Sequence, residues 1–229
     1  LHAGGKFDKK GGGAYAFSGG LHGVGVSVTN ALSKRVELVV WREGTAHRME
    51  FANGDVAAPL KVVPELARKK SGTRVRVWPD ASFFDSAVIP THELMHLLRS
   101  KAVLMAGVKV TYLNEKTGET RTWQYQDGLA GYLTEALQGL ELRVPLFGGE
   151  QFASADHESF AEGEGAQWVV AWADEGNVVR ESYVNLIPTP AGGTHESGLR
   201  EGLFAAVKGF AELHSLLPKG VKLLPPLSS

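Results

Sequence analysis

The 229-residue chain contains no cysteine, and this absence removes two kinds of site. Without thiols the chain can form neither a disulfide bond nor a metal site with thiolate ligands, and such a composition is typical of a reducing compartment. The sequence also shows no signal-peptide pattern and no apolar run long enough to cross a bilayer. We therefore expect a cytoplasmic protein with no membrane partner.

An excess of charge of either sign is also missing. Lysine and arginine number 24 and the acidic residues 25, which gives a net charge of −1 with histidine neutral. Such a balance creates no global field that would attract nucleic acid, so if the protein acts on DNA we expect most of the contact outside this chain. The 43% of hydrophobic residues is ordinary for a globular protein, and the length allows one large or two small domains.

Glycine, by contrast, is concentrated at the start of the chain, where nine of the 28 glycines lie in residues 1–25. The densest stretch is SGGLHGVG at residues 18–25. Glycine loses more backbone entropy on folding than any other residue, so this run needs a reason. Without Cβ atoms, backbone N–H groups can converge on a phosphate, and a helix that follows adds partial positive charge. On the residues alone, a phosphate-binding loop and a plain flexible loop remain equally open.

The hydrophobic pattern after the glycines predicts two successive α/β cycles. The first cycle comprises a helix from about Val24, strands Val36–Trp41 and Ala46–Phe51, a half-buried strand Thr73–Trp78, a helix from Thr91 to Gly107 and a strand Lys109–Leu113. The second comprises a helix DGLAGYLTEAL at 127–137, strands Gln167–Ala173 and Val178–Leu186, and a helix Ser197–Leu217. We place a domain boundary between them, after residue 124. The acidic residues 150–165 favour a solvated loop over an acidic contact surface.

A zinc-protease pattern is also present in the sequence. Residues 92–96 read HELMH, in which two histidines one helical turn apart could hold zinc and the glutamate between them could act as a base. Glu115 or Glu119 could supply a third ligand. However, an apolar stripe through Leu94 and Leu97 commits one face of this helix to packing. We therefore interpret HELMH as a surface coincidence and keep a zinc metalloprotease as an alternative.

Four separate stretches together resemble a known family. They are LHAGGKFD with YAFSGGLHGVGVSVTNALS in residues 1–33, SGTRVRVWPD at 71–80, YQDGL at 125–129 and ESYVNLIPTPAGGTHESGLREGL at 181–203. They resemble the ATPase subunit of bacterial type IIA DNA topoisomerases, the family formed by the B subunits of DNA gyrase and topoisomerase IV. The segments YVNLIPT and FFDS favour the topoisomerase IV branch over the gyrase branch.

The resemblance implies an α+β fold with two domains. Residues 1–124 would be the C-terminal part of a Bergerat (GHKL-type) ATPase domain, a mixed sheet layered with helices, with an ATP lid at 1–25. Residues 125–229 would form a ribosomal-protein-S5-like transducer domain, incomplete at its C-terminal end.

The resemblance also implies which residues contact ATP. In the family's pattern the triphosphate is cradled by the loop backbone, the lid closes on the phosphate, a lid tyrosine lies near the adenine and a threonine helps to fix it. The matching residues are Gly20, Leu21, His22, Gly23, Val24, Gly25 and Val26 for the cradle, Gly4, Gly5 and Lys6 for the lid, Tyr15 for the tyrosine and Thr73 for the threonine.

Three parts of such an ATPase are not found in this chain. The family reads adenine with a D-x-G-x-G motif and carries its catalytic Glu and Mg²⁺-binding Asn in an E-x-x-x-N helix, both before the lid, whereas its γ-phosphate lysine follows later. Glu181 and Asn185 fit the E-x-x-x-N spacing, but they lie on the strand predicted at Val178–Leu186. Residues four apart are about 13 Å apart on a strand, whereas on a helix they are neighbours about 6 Å apart. We therefore expect no catalytic residue and no metal ligand here, and no ATPase activity from this chain alone.

The resemblance implies that this chain is a fragment of a longer protein, here called the parent protein. For the parent protein it implies ATP with Mg²⁺ as cofactors and ATP-driven passage of one DNA duplex through another. The implied partners are DNA, the A subunit of topoisomerase IV or gyrase, and a second copy of the B subunit on nucleotide binding. The gyrase branch and a non-catalytic nucleotide-binding relative remain alternatives.

Overall fold

The computed structural model describes residues 23–86, 88–176, 178–218 and 220–224. The chain divides into two compact units, and the divide falls after Leu94. The predicted domain boundary after residue 124 stays a prediction. Among the described residues, no helix is both long and apolar enough for a membrane span. The predicted site residues Gly4, Gly5, Lys6, Tyr15, Gly20, Leu21 and His22 lie outside the described residues.

The first unit is built around an antiparallel sheet that follows a short helix. The helix α1 covers Gly25–Ala31, and the strands are β1 Ser33–Arg42, β2 Thr45–Ala52, β3 Asp55–Val62 and β4 Gly72–Pro79. The strand order is β3-β2-β1-β4, so β4 lies at an edge of this sheet. The predictions of α1, β1, β2 and β4 are confirmed.

Both tight turns of this sheet have two positive φ values in a row. The turn residues Glu43 and Gly44 have φ of 52° and 78°, and Asn53 and Gly54 have φ of 51° and 90°. Two positive φ values in a row match the right-handed twist of the flanking strands and favour Asn-Gly in particular. The sequence pattern does not predict strand β3 because Pro59 interrupts it; at the sheet edge a proline costs no ladder hydrogen bond.

The two faces of the sheet differ in chemistry. Side chains alternate between faces along a strand, and paired residues share a face. One face, here named the arginine face, carries Arg35, Glu37, Val39 and Trp41 of β1, Ala46, Arg48 and Glu50 of β2, and Arg74, Arg76 and Trp78 of β4. Val39 and Ala46 on this face are fully buried. The other, named the valine face, carries Val36, Leu38 and Val40 of β1 and Thr73, Val75 and Val77 of β4.

The prediction that β4 is half-buried is wrong. Val75 and Val77 are 46% and 37% exposed, whereas Val36 and Val39 on the central strand β1 are fully buried. The difference follows from position, because an edge strand has a neighbour on one side only. The buried core of this unit instead joins Val39, Trp41 and Ala46 with Leu66.

The second unit contains most of helix α2 and the remaining elements. Its elements are α2 Thr91–Leu104, β5 Val110–Leu113, β6 Thr120–Trp123, α3 Gly128–Ala136, β7 Phe147–Phe152, β8 Gly165–Val170, β9 Tyr183–Val184, β10 Ile187–Pro188 and α4 Thr194–Leu213. Its core cluster consists of Ala102, Val103, Tyr125 and Tyr132. Helix α2 begins at its predicted start, but the predicted stripe is wrong at Leu97, which is 42% exposed.

Two strand predictions in this unit had different outcomes. The strand predicted at Gln167–Ala173 corresponds to β8, which pairs with β7 across the acidic connection 153–164. The strand predicted at Val178–Leu186 is wrong, because only β9 forms there, in a small hairpin with β10. Its turn residues Asn185 and Leu186 have φ of 47° and 70°, which ends the strand. Helix α4 begins three residues before its predicted start and ends four before its predicted end.

Candidate functional site

The site predicted from the glycine stretch is described only at its C-terminal end. There the structure places Gly23 in the left-handed region with φ of 67°, a conformation that favours glycine. Val24 caps helix α1, and the first hydrogen bond within the helix runs from the Val28 amide to the Val24 carbonyl at 3.0 Å. The amides of Gly25 and Val26 therefore precede the helical ladder, as the first amides of any helix do.

Among the described residues, the side of Gly25 on which a side chain would stand is open. A Cβ atom built on Gly25 would meet no heavy atom within 4 Å among the described residues. The helix predicted from about Val24 is confirmed. The arrangement can present backbone donors to an anion, since nothing described here fills the space next to Gly25.

Thr73 occupies the other described position of the predicted site. It lies near the start of β4, pairs with Val40 of β1, and shares the valine face with Val75. At the opposite end of β4, the Asp80 amide donates to the Leu32 carbonyl just after α1, at 3.0 Å. Among the described residues no hydrogen bond joins Thr73 to α1. The valine face nevertheless presents the Thr73 hydroxyl beside the exposed side chains of Val75 and Val77.

The Glu181–Asn185 pair does not form a catalytic helix. Glu181 precedes β9, and Asn185 lies in the β9–β10 turn, so the two residues do not share a helix, and their predicted placement on a strand is wrong. Instead, the Glu181 carboxylate accepts hydrogen bonds from the hydroxyls of Tyr132 and Tyr183. Burial and then these bonds raise the pKa of both tyrosines above the ordinary value.

These raised pKa values make stability fall at alkaline pH. Above about pH 10 the unfolded tyrosines ionise while the folded ones stay protonated, so unfolding releases protons. We expect the free energy of unfolding to fall with pH more steeply in the unaltered chain than in Tyr132→Phe/Tyr183→Phe. The measurement is urea unfolding between pH 9 and 11, with Tyr112→Phe as the control. Equal slopes for the unaltered chain and the double variant would contradict this coupling.

The HELMH pattern shows no metal geometry. Both His92 and His96 are exposed on α2, and within the described ranges no group of three or more His, Asp or Glu side chains could hold a metal ion. Neither Glu115 nor Glu119 joins them as a ligand. The interpretation of HELMH as a surface pattern is therefore favoured.

Sequence reasoning missed the charged network of the arginine face. Glu37 is only 5% exposed, and its carboxylate accepts from Arg48 at 2.5 Å and from Arg74 at 3.3 Å. Glu50 accepts from Arg35 at 2.8 Å. The alternation of charged residues along β1, β2 and β4 carried a period-2 signal that could have pointed to a shared charged face.

Comparison with known proteins relates this chain to one family. A model of the family DNA gyrase B matches residues 128–225. The B subunit of DNA topoisomerase 4 from Salmonella typhimurium is 48% identical over 224 residues, which cover 97% of this chain and 34% of that protein. The chain belongs to the B-subunit family of type IIA DNA topoisomerases.

Two further comparisons relate this chain to gyrase B proteins. The B subunit of DNA gyrase from Helicobacter pylori is 38% identical over 208 residues, covering 90% of this chain and 26% of that protein. The crystal structure of the 43K ATPase domain of Thermus thermophilus gyrase B, in complex with an aminocoumarin, matches with a TM-score of 0.68 and 30% identity. That match covers 87% of this chain and 52% of the other. The mixed α/β architecture therefore agrees with the GHKL-type fold predicted from sequence.

The chain spans about a third of the length of the topoisomerase B subunits that it matches, since 34% of the Salmonella protein is covered. Identity to that topoisomerase IV protein, 48%, exceeds the 38% identity to the gyrase protein. This difference in identity agrees with the preference for the topoisomerase IV branch that the segments YVNLIPT and FFDS indicated.

Proposed function

We propose that this chain forms the ATP lid and transducer region of a topoisomerase IV B subunit. In this proposal the parent protein uses ATP to pass one DNA duplex through another, together with an A subunit and a second copy of itself. The observation that carries the proposal is the loop-to-helix junction at Gly23–Val26, which combines a left-handed glycine with helix amides that precede the ladder. The 48% identity to a topoisomerase IV B subunit supports the choice of branch.

The residues at this junction fit a triphosphate. Gly23 adopts its positive φ without a Cβ penalty, and none of the described residues occupies the place of a Cβ on Gly25, which supports room for a phosphate oxygen there. In the proposal Gly20–Val26 donate backbone N–H groups to the phosphates, Gly4, Gly5 and Lys6 close over them, Tyr15 lies near the adenine and Thr73 hydrogen-bonds to it. These assignments rest on the resemblance of the sequence stretches.

For Mg²⁺, no residue of this chain is assigned as a ligand. The described residues contain no cluster of three or more His, Asp or Glu that could hold a metal ion. We therefore derive no step through the ion. Bound Mg²⁺ would supply charge neutralisation on the phosphates.

Residues 125–229 fit the proposed transducer, which would pass lid closure on to the rest of the parent protein. Helix α4 and the β9–β10 hairpin carry most of the stretch 181–203 that resembles the family. The gyrase B subunit is the second candidate, favoured by the structural match to the Thermus thermophilus ATPase domain.

The purified 229-residue chain should release no phosphate from ATP above background, with or without Mg²⁺. The reason is that none of its residues is assigned as catalytic base or metal ligand. A coupled phosphate-release assay on the chain, with the full B subunit as the positive control, makes the measurement. Turnover by the chain that depends on Mg²⁺ would show that it holds a catalytic group of its own.

A further inference from the structure

The arginine face is locally positive, although the chain as a whole has a net charge of −1. Strand register and ring stacking place six cationic and three acidic side chains on this face. They are Arg35, Arg48, Lys61, Arg68, Arg74 and Arg76, against Glu37, Glu50 and Asp55. The face belongs entirely to the first unit. A surplus of positive charge on a sheet face makes it a candidate for binding a polyanion.

Both central glutamates, Glu37 and Glu50, form ion pairs with arginines of the same face. Glu37 is bound by Arg48 and Arg74, and Glu50 lies 2.8 Å from Arg35 and 2.7 Å from Arg48. These pairs fix three guanidinium groups in place. They also mask the two carboxylates, so an approaching anion meets the remaining cations first.

Two arginines of the face have no carboxylate partner among the described residues. The Arg68 guanidinium carbon lies 3.8 Å from the centroid of the Trp41 ring, and that of Arg76 lies 5.2 Å from the Trp78 ring. A guanidinium stacked on an indole keeps its N–H donors free at its edge. Because stacking also limits side-chain motion, less entropy is lost when those donors bind an anion.

Each tryptophan holds a second arginine as well. Arg74 lies 5.6 Å from the Trp41 centroid, and Arg35 lies 4.8 Å from that of Trp78. The two rings therefore hold guanidinium groups at both ends of the sheet face. The exposed Lys69 and Lys70 directly follow Arg68 in the sequence. Side chains of one sheet face recur about every 7 Å along a strand and about 5 Å across it, which produces a grid of donors.

We propose that the arginine face binds the phosphate backbone of duplex DNA, with Arg68 and Arg76 as the principal contacts. Guanidinium groups bind phosphate oxygens through paired N–H donors. A DNA duplex carries one negative charge about every 1.7 Å along its axis, so a grid of cations meets several phosphates at once. An acidic protein surface has no comparable regular charge density. The proposal goes beyond the ATP-binding role and rests on the proposed function only in that the parent acts on DNA.

The test compares two double variants of the 229-residue chain. Arg68→Gln/Arg76→Gln removes the proposed contacts, and Lys116→Gln/Arg121→Gln removes the same charge from the β5–β6 hairpin. Fluorescence anisotropy measures binding of a labelled duplex of about 30 base pairs. At about 50 mM salt we expect the first variant to lose affinity on the order of tenfold, and its log–log salt slope to fall by about 2. The hairpin variant should bind as the unaltered chain does.

Two results would overturn the proposal. One is equal DNA affinity in the Arg68/Arg76 variant and the unaltered chain; the other is polyglutamate binding as tightly as the duplex, which would indicate an acidic protein partner. Should the glutamine variant not fold, Arg68→Lys/Arg76→Lys keeps the charge but loses the paired donors, and we expect it to bind several-fold more weakly. Nucleotide binding, measured on the same variants in the full-length parent protein, should stay unchanged, which separates this proposal from the ATP site.

Discussion

Gly23→Ala in the full-length parent protein should lower ATP turnover by about 100-fold, an effect comparable to the loss of a preorganised anion donor. Gly23 has φ of 67°, a region in which an alanine Cβ meets the following carbonyl. The backbone would therefore rotate away and turn the amides at the start of α1 from the phosphates. The measurement is steady-state ATP hydrolysis together with the affinity for a fluorescent nucleotide.

A second glycine provides a matched control for this prediction. Gly118, in the β5–β6 turn, has φ of 74°, and a Cβ there would meet nothing within 4 Å. Gly118→Ala thus introduces the same backbone strain, about 1–2 kcal/mol, away from the lid. We expect it to lose stability but to keep its nucleotide affinity. Equal losses of turnover in the two variants would attribute the effect to general destabilisation and count against the proposed ATP site.

The sequence predicted those parts of the fold that depend on local chemistry. Asn53-Gly54 encodes a turn with two positive φ values, and a helix begins at Gly25, close to its predicted start. The strand predicted at Val178–Leu186 failed, because its apolar pattern did not reveal that a turn at Asn185 would end the pairing after two residues. Tertiary context decides strand length more than β-propensity does.

The candidate functional residues also fall into two groups, those that local sequence patterns predict and those that depend on strand pairing. The positions of Gly25 on a helix and of Thr73 on a strand could be predicted from local patterns. The arginine face could not, because Arg74 and Glu37 are 37 residues apart and meet only through the register of β1 with β4. Alternating charge on each strand is visible in the sequence, but the pairing of strands is a tertiary property.

The variant with the largest expected effect on stability is Trp41→Ala, at about 3–5 kcal/mol of unfolding free energy. Trp41 is 7% exposed and packs against Val39 and Ala46. Its indole N–H donates to the Leu66 carbonyl at 2.7 Å. Truncation would therefore open a cavity beside the sheet and leave that carbonyl without its donor.

Two further variants, Trp78→Ala and Trp41→Phe, separate the contributions of packing, the indole hydrogen bond and arginine stacking to this loss of unfolding free energy. Trp78 also carries two arginines but is only half-buried, so its removal should cost about 1–2 kcal/mol. Trp41→Phe keeps most of the packing and loses the hydrogen bond, at about 1–2 kcal/mol. Urea unfolding followed by circular dichroism gives the three values. A cost for Trp41→Ala no larger than that for Trp78→Ala would mean that Trp41 serves the arginines rather than the core.

The same comparison separates stability from DNA binding on the arginine face. Trp41→Phe retains an aromatic ring under Arg68, whereas Trp78→Ala removes the ring under Arg76 and Arg35. If stacking orients the guanidinium groups for phosphate, Trp78→Ala should weaken binding of the duplex several-fold although both variants lose similar stability. If the two variants bind DNA equally well, the rings stabilise the sheet alone, and charge without orientation accounts for the binding.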